Sequence, residues 1–302
     1  TEDWHPYQEA DWTAYWWKYK QVTYDTSGLT VGGYLTTNTG YNHTERKVYW
    51  NGCIEERSTT KQAKYTPIPV NAYDMNVDLV PDGNAITQWG PLLPGVVWTR
   101  QSAWNWDTNE YRAYTDTQNY EYYAAGAYAS CPSPARKLAP IRSAELDTYV
   151  DALQSAGNTY HDIGMIWGAR LLSPTGIFKA ENAGTNTSRH LIFMTDGETN
   201  TMVEDYEAYG VSALDRRRAS DKSKVPDKAE MDQEVEDRFT AMCEEVRKKN
   251  ITVWVIAFGT TLTPLLENCA DKGKSFQADN AAELNTAFAN IAKEITQLRL
   301  TD

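Results

Sequence analysis

The sequence predicts an α/β protein with a doubly wound, Rossmann-like sheet and a large aromatic, loop-rich insertion. Three observations in residues 141–302 predict it. Two apolar runs, Leu191–Met194 and Ile251–Phe258, are bounded by polar residues and are too short for helices. Such runs read as strands buried on both faces of a parallel sheet. Amphipathic helical patterns alternate with them, as in wound sheets. The first run ends in Thr195-Asp196-Gly197. An acid there either opens a turn or points into the crevice where open α/β sheets bind ligands.

The elements follow in order. A helix is predicted over 145–156, with Leu146, Tyr149, Val150 and Leu153 in phase and Ser143 as N-cap. Gly157 and Asn158 stop it. A second runs from Tyr160 to Leu172, with Ile163, Ile166, Trp167, Arg170 and Leu171 on one side and Ser173-Pro174 at its end. After the first strand, Asp227–Lys249 carries the stripe Met231, Val235, Phe239, Met242, Cys243 and Val246. The second strand stops at Gly259. A short helix over Thr263–Ala270, an edge strand over Lys274–Ala278 and a final helix over Ala281–Leu298 complete the pattern. Three strands are too few for an open sheet covered on both faces. Further strands are expected from the first 140 residues, from a partner chain or from sequence beyond this chain. The connection Thr201–Pro226 leaves the strand end that bears Asp196 and is expected to be a mobile, exposed flap. Arg216, Arg217 and Arg218 within it read as a solvated loop.

Residues 1–140 form a separate region by composition. They hold nine of the eleven Trp and fifteen of the nineteen Tyr, so the aromatic character of the chain lies there. Helical periodicity is weak, and short strands are predicted at Lys20–Tyr24, Arg46–Trp50, Asn76–Val80 and Val96–Thr99. Pro and Gly punctuate them. Trp and Tyr bury large areas while keeping one polar end, which suits pinning long loops together. A carbohydrate-binding surface is the alternative use of the same residues. The predicted division is therefore 1–140 and 141–302.

Composition excludes several classes. A net charge of −12 disfavours nucleic acid and anionic membrane surfaces, both of which need a basic patch. No run of 18 apolar residues is present, so no membrane-spanning helix is expected. The chain opens on Thr1 without a signal peptide, as a mature or truncated piece would. Cys53, Cys131, Cys243 and Cys269 include no C-x-x-C pair, which disfavours zinc. Their even number permits two disulfides and an oxidising compartment, with three pairings open. In a wound sheet the helix bearing Cys243 and the segment bearing Cys269 return to neighbouring positions. That makes Cys243–Cys269 plausible and leaves Cys53 with Cys131. No G-x-S-x-G, H-E-x-x-H or phosphate-loop pattern occurs, and the expectation is a non-enzymatic protein.

The stretch GNTYHDIGMIWGARLLSP at 157–174, followed by LIFMTDG at 191–197, resembles the von Willebrand factor A domain of TadG-like proteins of the tight-adherence (Tad) pilus system. The resemblance extends to WNGCIEER at 50–57, to Cys131-Pro132, to Cys243 and Cys269, and to LRL at 298–300. It covers roughly residues 45–302, the C-terminal portion of such a protein. It implies an adhesion or pilus-assembly protein of a Gram-negative cell envelope, periplasmic or at the cell surface, with pilus or envelope components as protein partners. The membrane would be reached only through an upstream anchor outside this chain.

The resemblance also implies a metal-ion-dependent adhesion site. Its ligands are a DxSxS segment, a Thr before a central helix and an Asp after a strand. Thr159 takes the place of the Thr and Asp196 that of the Asp. Hydroxyl and carboxylate oxygens suit magnesium, manganese or calcium. No DxSxS is present. The nearest string, Asp25–Leu29, lacks the second Ser, so the adhesion site is expected to be incomplete in this chain.

Overall fold

The computed structural model describes residues 23–37, 45–96, 131–136, 139–184 and 187–298, with the backbone of short strands at 3–9, 12–18, 104–105, 110–111 and 119–120. It shows a mixed α/β chain in two compact units. The first is built from Thr1–Arg57, Gln88–Asn158 and Met202–Lys228, the second from Ser58–Thr87, Thr159–Thr201 and Ala229–Asp302.

In the first unit, β1 (Asp3–Glu9), β2 (Trp12–Lys18) and β9 (Asn119–Tyr120) form an antiparallel sheet in the order β1-β2-β9. Three antiparallel pairs accompany it: β3 (Tyr34–Thr37) with β4 (Arg46–Tyr49), β5 (Ile54–Glu55) with β6 (Gly90–Pro91), and β7 (Trp104–Asn105) with β8 (Glu110–Tyr111). The strand expected at Arg46–Trp50 thus forms, whereas Asn76–Val80 is turn and coil. Most of Lys20–Tyr24 and of Val96–Thr99 lies outside the described residues. Asp25–Leu29 is a turn, in which the Ser27 amide donates to the Asp25 carboxylate at 2.9 Å. Helix α1 (Ser143–Asp151) forms one residue into its predicted cap, with Arg142 at the N-cap position. Its Leu146 and Val150 stay about half exposed, so periodicity located the helix but not its burial.

Most of the connection after Thr201 is folded and packed, and only Ser220–Lys224 forms the exposed stretch expected of it. Strands β11 (Tyr206–Glu207) and β12 (Gly210–Val211) form a hairpin that runs into the single-turn helix α3 (Ser212–Asp215). Tyr206, Val211 and Ala213 pack with Leu92 in a small core that Cys53 borders. The arginines, expected to be solvated, are instead neutralised inside the unit. Arg217 donates to the Glu55 carboxylate and to the Glu56 and Arg57 carbonyls at 3.2, 2.7 and 2.7 Å. Arg218 is buried, pairs with Glu207 at 2.8 Å and lies over the Tyr209 ring. Arg216 adopts φ 49° and donates to the Ala213 and Lys222 carbonyls.

The second unit holds the parallel sheet. Its strands are β10 (Arg189–Thr195), β13 (Ile251–Phe258) and β14 (Ser275–Ala278), in the order β10-β13-β14. Helix α4 (Lys228–Lys248) crosses from β10 to β13, α5 (Pro264–Cys269) joins β13 to β14, and α6 (Ala281–Leu298) closes the chain. Every predicted element of this half appears, within a few residues. Val253, Val255 and Ala257 of central β13 face a core shared with α2 (His161–Leu172), α4 and α5, while Trp254 and Ile256 face α6. Gly164 and Gly168 let α2 close on β10; a Cβ at Gly168 would stand 2.9 Å from the Leu191 side chain. The expectation that β10 is buried on both faces fails on one. Leu191 is buried, but Ile192 and Met194 are 39% and 51% exposed, because α6 packs over β13 and β14.

Segment 58–87 joins this unit through a buried polar network. Arg238 reaches the Asp74 carboxylate, Asp162 at 3.0 Å and the Thr59 hydroxyl at 3.1 Å. Glu234 receives Lys61 and the Tyr65 hydroxyl. Burial pushes the Glu234 carboxyl up, against Arg238 and Lys61, which lower it. Tyr65, Ala72, Met75 and Val77 of the segment enter the core beside it. Both expected disulfides form: Cys243–Cys269 with a Cα separation of 5.2 Å, and Cys53–Cys131 with 6.0 Å. Such bridges fit an oxidising compartment. No helix among the described residues is long and apolar enough to cross a membrane.

Candidate functional site

The site is built where β10 ends and α2 begins. The Thr159 amide donates to the Asn200 carbonyl at 2.9 Å, and the Asn200 amide donates back to Thr159 at 3.1 Å. This pair holds the chain two residues before α2 against the return from β10. Thr159 is half-buried and Asp196 exposed at that end. The structure therefore brings the two predicted ligands to the same end of the strand, the carboxyl end, where wound sheets present ligand-binding groups.

His161 holds both ends of the return at 195–199. Its Nε2 lies 3.1 Å from the Thr195 hydroxyl and its Nδ1 3.2 Å from the Thr199 hydroxyl. Thr195 already donates to the Gly197 carbonyl at 3.0 Å. Its oxygen therefore accepts from His161, which places the ring proton on Nε2 and leaves Nδ1 to accept from Thr199. Burial pushes the His161 pKa down, with Asp162 opposing. The His161 ring stands edge-on to Phe193 and tilted against Phe239. Neighbouring Asp162 is fully buried and spent on Arg238.

Acids line the rim. The Thr201 amide and hydroxyl both donate to Asp232 at 2.8 Å. Burial, then Asp232, Asp237 and Glu198, push the Glu236 carboxyl up. Sequence reasoning missed Thr195, Thr199, Asp232 and Glu236, because loop and helix meet only in the fold. It also missed Glu234 and Arg238. A signal for the latter existed: Arg238 lies three residues after Val235, in phase with the buried stripe of α4.

Thr159 and Asp196 offer oxygens of the right hardness for magnesium, manganese or calcium, but only two of them. Among the described residues no three of His, Cys, Asp or Glu converge as a metal-binding group. Magnesium holds its waters unless several ligands meet, so these residues alone do not fit a tight site. Of the aromatic half, Trp50 donates to the Cys53 carbonyl. Trp89 donates to Glu56 at 3.2 Å while the Arg57 guanidinium stacks 3.7 Å from its ring centre. Both pin loops. The rest of the 103–128 stretch lies outside the described residues, apart from short strand backbones. Comparison with protein-family models, with curated proteins and with solved structures finds no match for this chain.

Proposed function

We propose that this chain is a non-enzymatic adhesion or pilus-assembly protein of a bacterial cell envelope that binds a protein partner at the carboxyl end of β10. The observation that carries the reading is an exposed Asp196 at that strand end, on a return clamped to Thr159 through Asn200. The resemblance of 157–174 and 191–197 to TadG-like von Willebrand factor A domains supports the same face and gives the partner class, pilus or envelope components. The two disulfides support an extracytoplasmic location, the periplasm or cell surface of a Gram-negative bacterium. A divalent ion belongs to the proposal only with oxygens added to those of Thr159 and Asp196. The reading therefore rests on Asp196 and its loop.

The test is surface-plasmon binding of the full chain to purified Tad pili, with magnesium or manganese and with chelator. Binding is expected to weaken at least tenfold in Asp196→Ala. Undiminished binding by Asp196→Ala and Thr159→Ala would sink the reading. Metal-independent glycan binding lost on Trp substitution would replace it with the carbohydrate-binding alternative.

A further inference from the structure

Asn-Gly occurs once in the chain, at Asn51-Gly52, and Asp-Gly twice, at Asp82-Gly83 and Asp196-Gly197. A glycine has no Cβ, so its amide nitrogen can swing onto the side-chain carbonyl carbon of the residue before it. By sequence all three pairs are labile. The fold sorts them. The Gly197 amide is occupied, donating to the Thr195 hydroxyl at 3.3 Å. The Asp82 carboxylate is fixed, accepting from the Asn84 amide at 3.0 Å and from the Thr87 hydroxyl at 2.7 Å.

Asn51 and Gly52 are both exposed. The residues on either side are anchored. Trp50 donates its amide to the Gly33 carbonyl at 2.9 Å and its indole Nε1 to the Cys53 carbonyl at 2.5 Å. That carbonyl also accepts from the Leu92 amide at 2.8 Å. Between these fixed ends, Asn51 and Gly52 make no backbone hydrogen bond among the described residues. The Gly52 nitrogen is thus free to act as a nucleophile. Gly52 stands at φ 101°, a conformation that favours glycine, and a Cβ there would meet only Val31, at 3.5 Å. The Cys53 amide lies 3.4 Å from Asn51 Oδ1. It is placed to hold that oxygen as negative charge develops on it. The Cys131 sulfur lies 3.4 Å from the same oxygen, so the pair sits against the Cys53–Cys131 bridge.

We propose that Asn51-Gly52 is a self-modification site of the folded chain, with water as its only co-reactant. The Gly52 nitrogen bonds to Asn51 Cγ, the Cγ–Nδ2 bond breaks, and the amide proton leaves with the side-chain nitrogen as ammonia. Water then opens the succinimide. Cleavage at Cγ leaves aspartate, and cleavage at the main-chain carbonyl leaves isoaspartate. Either product adds one negative charge to a chain of net charge −12. Isoaspartate also adds a methylene to the main chain between Trp50 and Cys53, and Cys53 borders the core of Leu92, Tyr206 and Val211. The loop that carries this disulfide therefore records the age of the chain. The proposal is independent of the reading of Asp196.

The test follows the full oxidised chain in mildly alkaline buffer. Peptide mapping measures conversion of each asparagine, and isoaspartyl methyltransferase labels isoaspartate. Asn51 should convert at least tenfold faster than Asn250, which is also exposed but is followed by isoleucine. Its rate should stay within tenfold of that in the reduced, urea-unfolded chain. Asn51→Gln must close a larger ring, and so should lose the methyl label with an unchanged circular dichroism spectrum. A label that persists in Asn51→Gln places isoaspartate elsewhere and overturns the proposal. So does conversion of Asn51 no faster than that of Asn250. Conversion more than tenfold slower in the folded chain than in the unfolded one also overturns it, because the fold would then close the site.

Discussion

Thr159 and Asn200 exchange two backbone hydrogen bonds, at 2.9 and 3.1 Å, and so clamp the start of α2 to the return from β10. The clamp is main chain, so it is independent of either side chain. Thr159→Ala should therefore change stability by no more than about 0.5 kcal/mol, as for a substitution away from the core. Thr159→Pro removes the donating amide and should cost at least about 1–3 kcal/mol, the penalty for a lost buried bond. Urea unfolding of both variants checks this. Equal losses would place the side chain, and not the backbone, in the clamp.

Arg238 and Asp162 meet with both side chains fully buried, and Asp74 binds the same guanidinium. Truncating one member of a buried ion pair leaves charge without compensation and costs about 3–5 kcal/mol. Arg238→Met should lose that much, or fail to fold. Combining it with Asp74→Asn and Asp162→Asn should recover a large part. A double-mutant analysis by urea unfolding in which the losses simply add would refute the coupling.

The two disulfides should differ under mild reductant. Cys243 and Cys269 are buried, whereas Cys53 and Cys131 are partly exposed. Alkylation and mass spectrometry should therefore label Cys53 and Cys131 first. The Cys243–Cys269 loop spans 26 residues, and its closure contributes roughly 3–4 kcal/mol by the chain-entropy relation. Cys243→Ala with Cys269→Ala should lower stability by about that amount. Earlier labelling of Cys243 would show that burial does not guard this bridge.

The sheet half was legible because its signals are local. Apolar runs at Leu191–Met194 and Ile251–Phe258, Gly259 after the second, and the in-phase stripe of α4 each act within a few residues. Of the candidate site, the sequence singles out only Thr159 and Asp196. The rest was not legible, because its partners are distant in sequence. Arg217 needs Glu55, and Arg238 needs Asp74. A run of three arginines carries no local sign that the Glu55 and Glu207 carboxylates and backbone carbonyls will bind it. Likewise, the apolar character of Ile192 and Met194 gave no sign that α6 would stop short of β10.

Asp78 links segment 58–87 to the ends of two helices, accepting from Ser173 and from Lys249. Burial works against its charge, but these donors prevail and hold its pKa below the usual 3.8. A lowered carboxylate pKa stabilises the fold above the unfolded value, and that contribution is lost as pH falls through the folded value. Stability should thus drop from pH 3.8 downward, and Asp78→Asn should flatten that part of the profile. Guanidinium unfolding between about pH 2.5 and 5 tests it. An unchanged slope in Asp78→Asn would assign the acid sensitivity to other carboxylates.

Asp196 supplies one exposed carboxylate and Thr159 one hydroxyl, and no group of three metal-binding side chains forms among the described residues. Magnesium prefers six oxygens and gives up its waters reluctantly, so two protein ligands leave the ion mostly hydrated. The chain should bind magnesium or manganese only weakly, with a Kd on the order of millimolar or above, the range of sparsely liganded hard-cation sites. Asp196→Ala should abolish even that while leaving the thermal transition unchanged, because the group is exposed at a strand end. Calorimetry on the chain and on Asp196→Ala measures both. Tight binding that survives Asp196→Ala would move the site away from the end of β10 and take the adhesion reading of Asp196 with it.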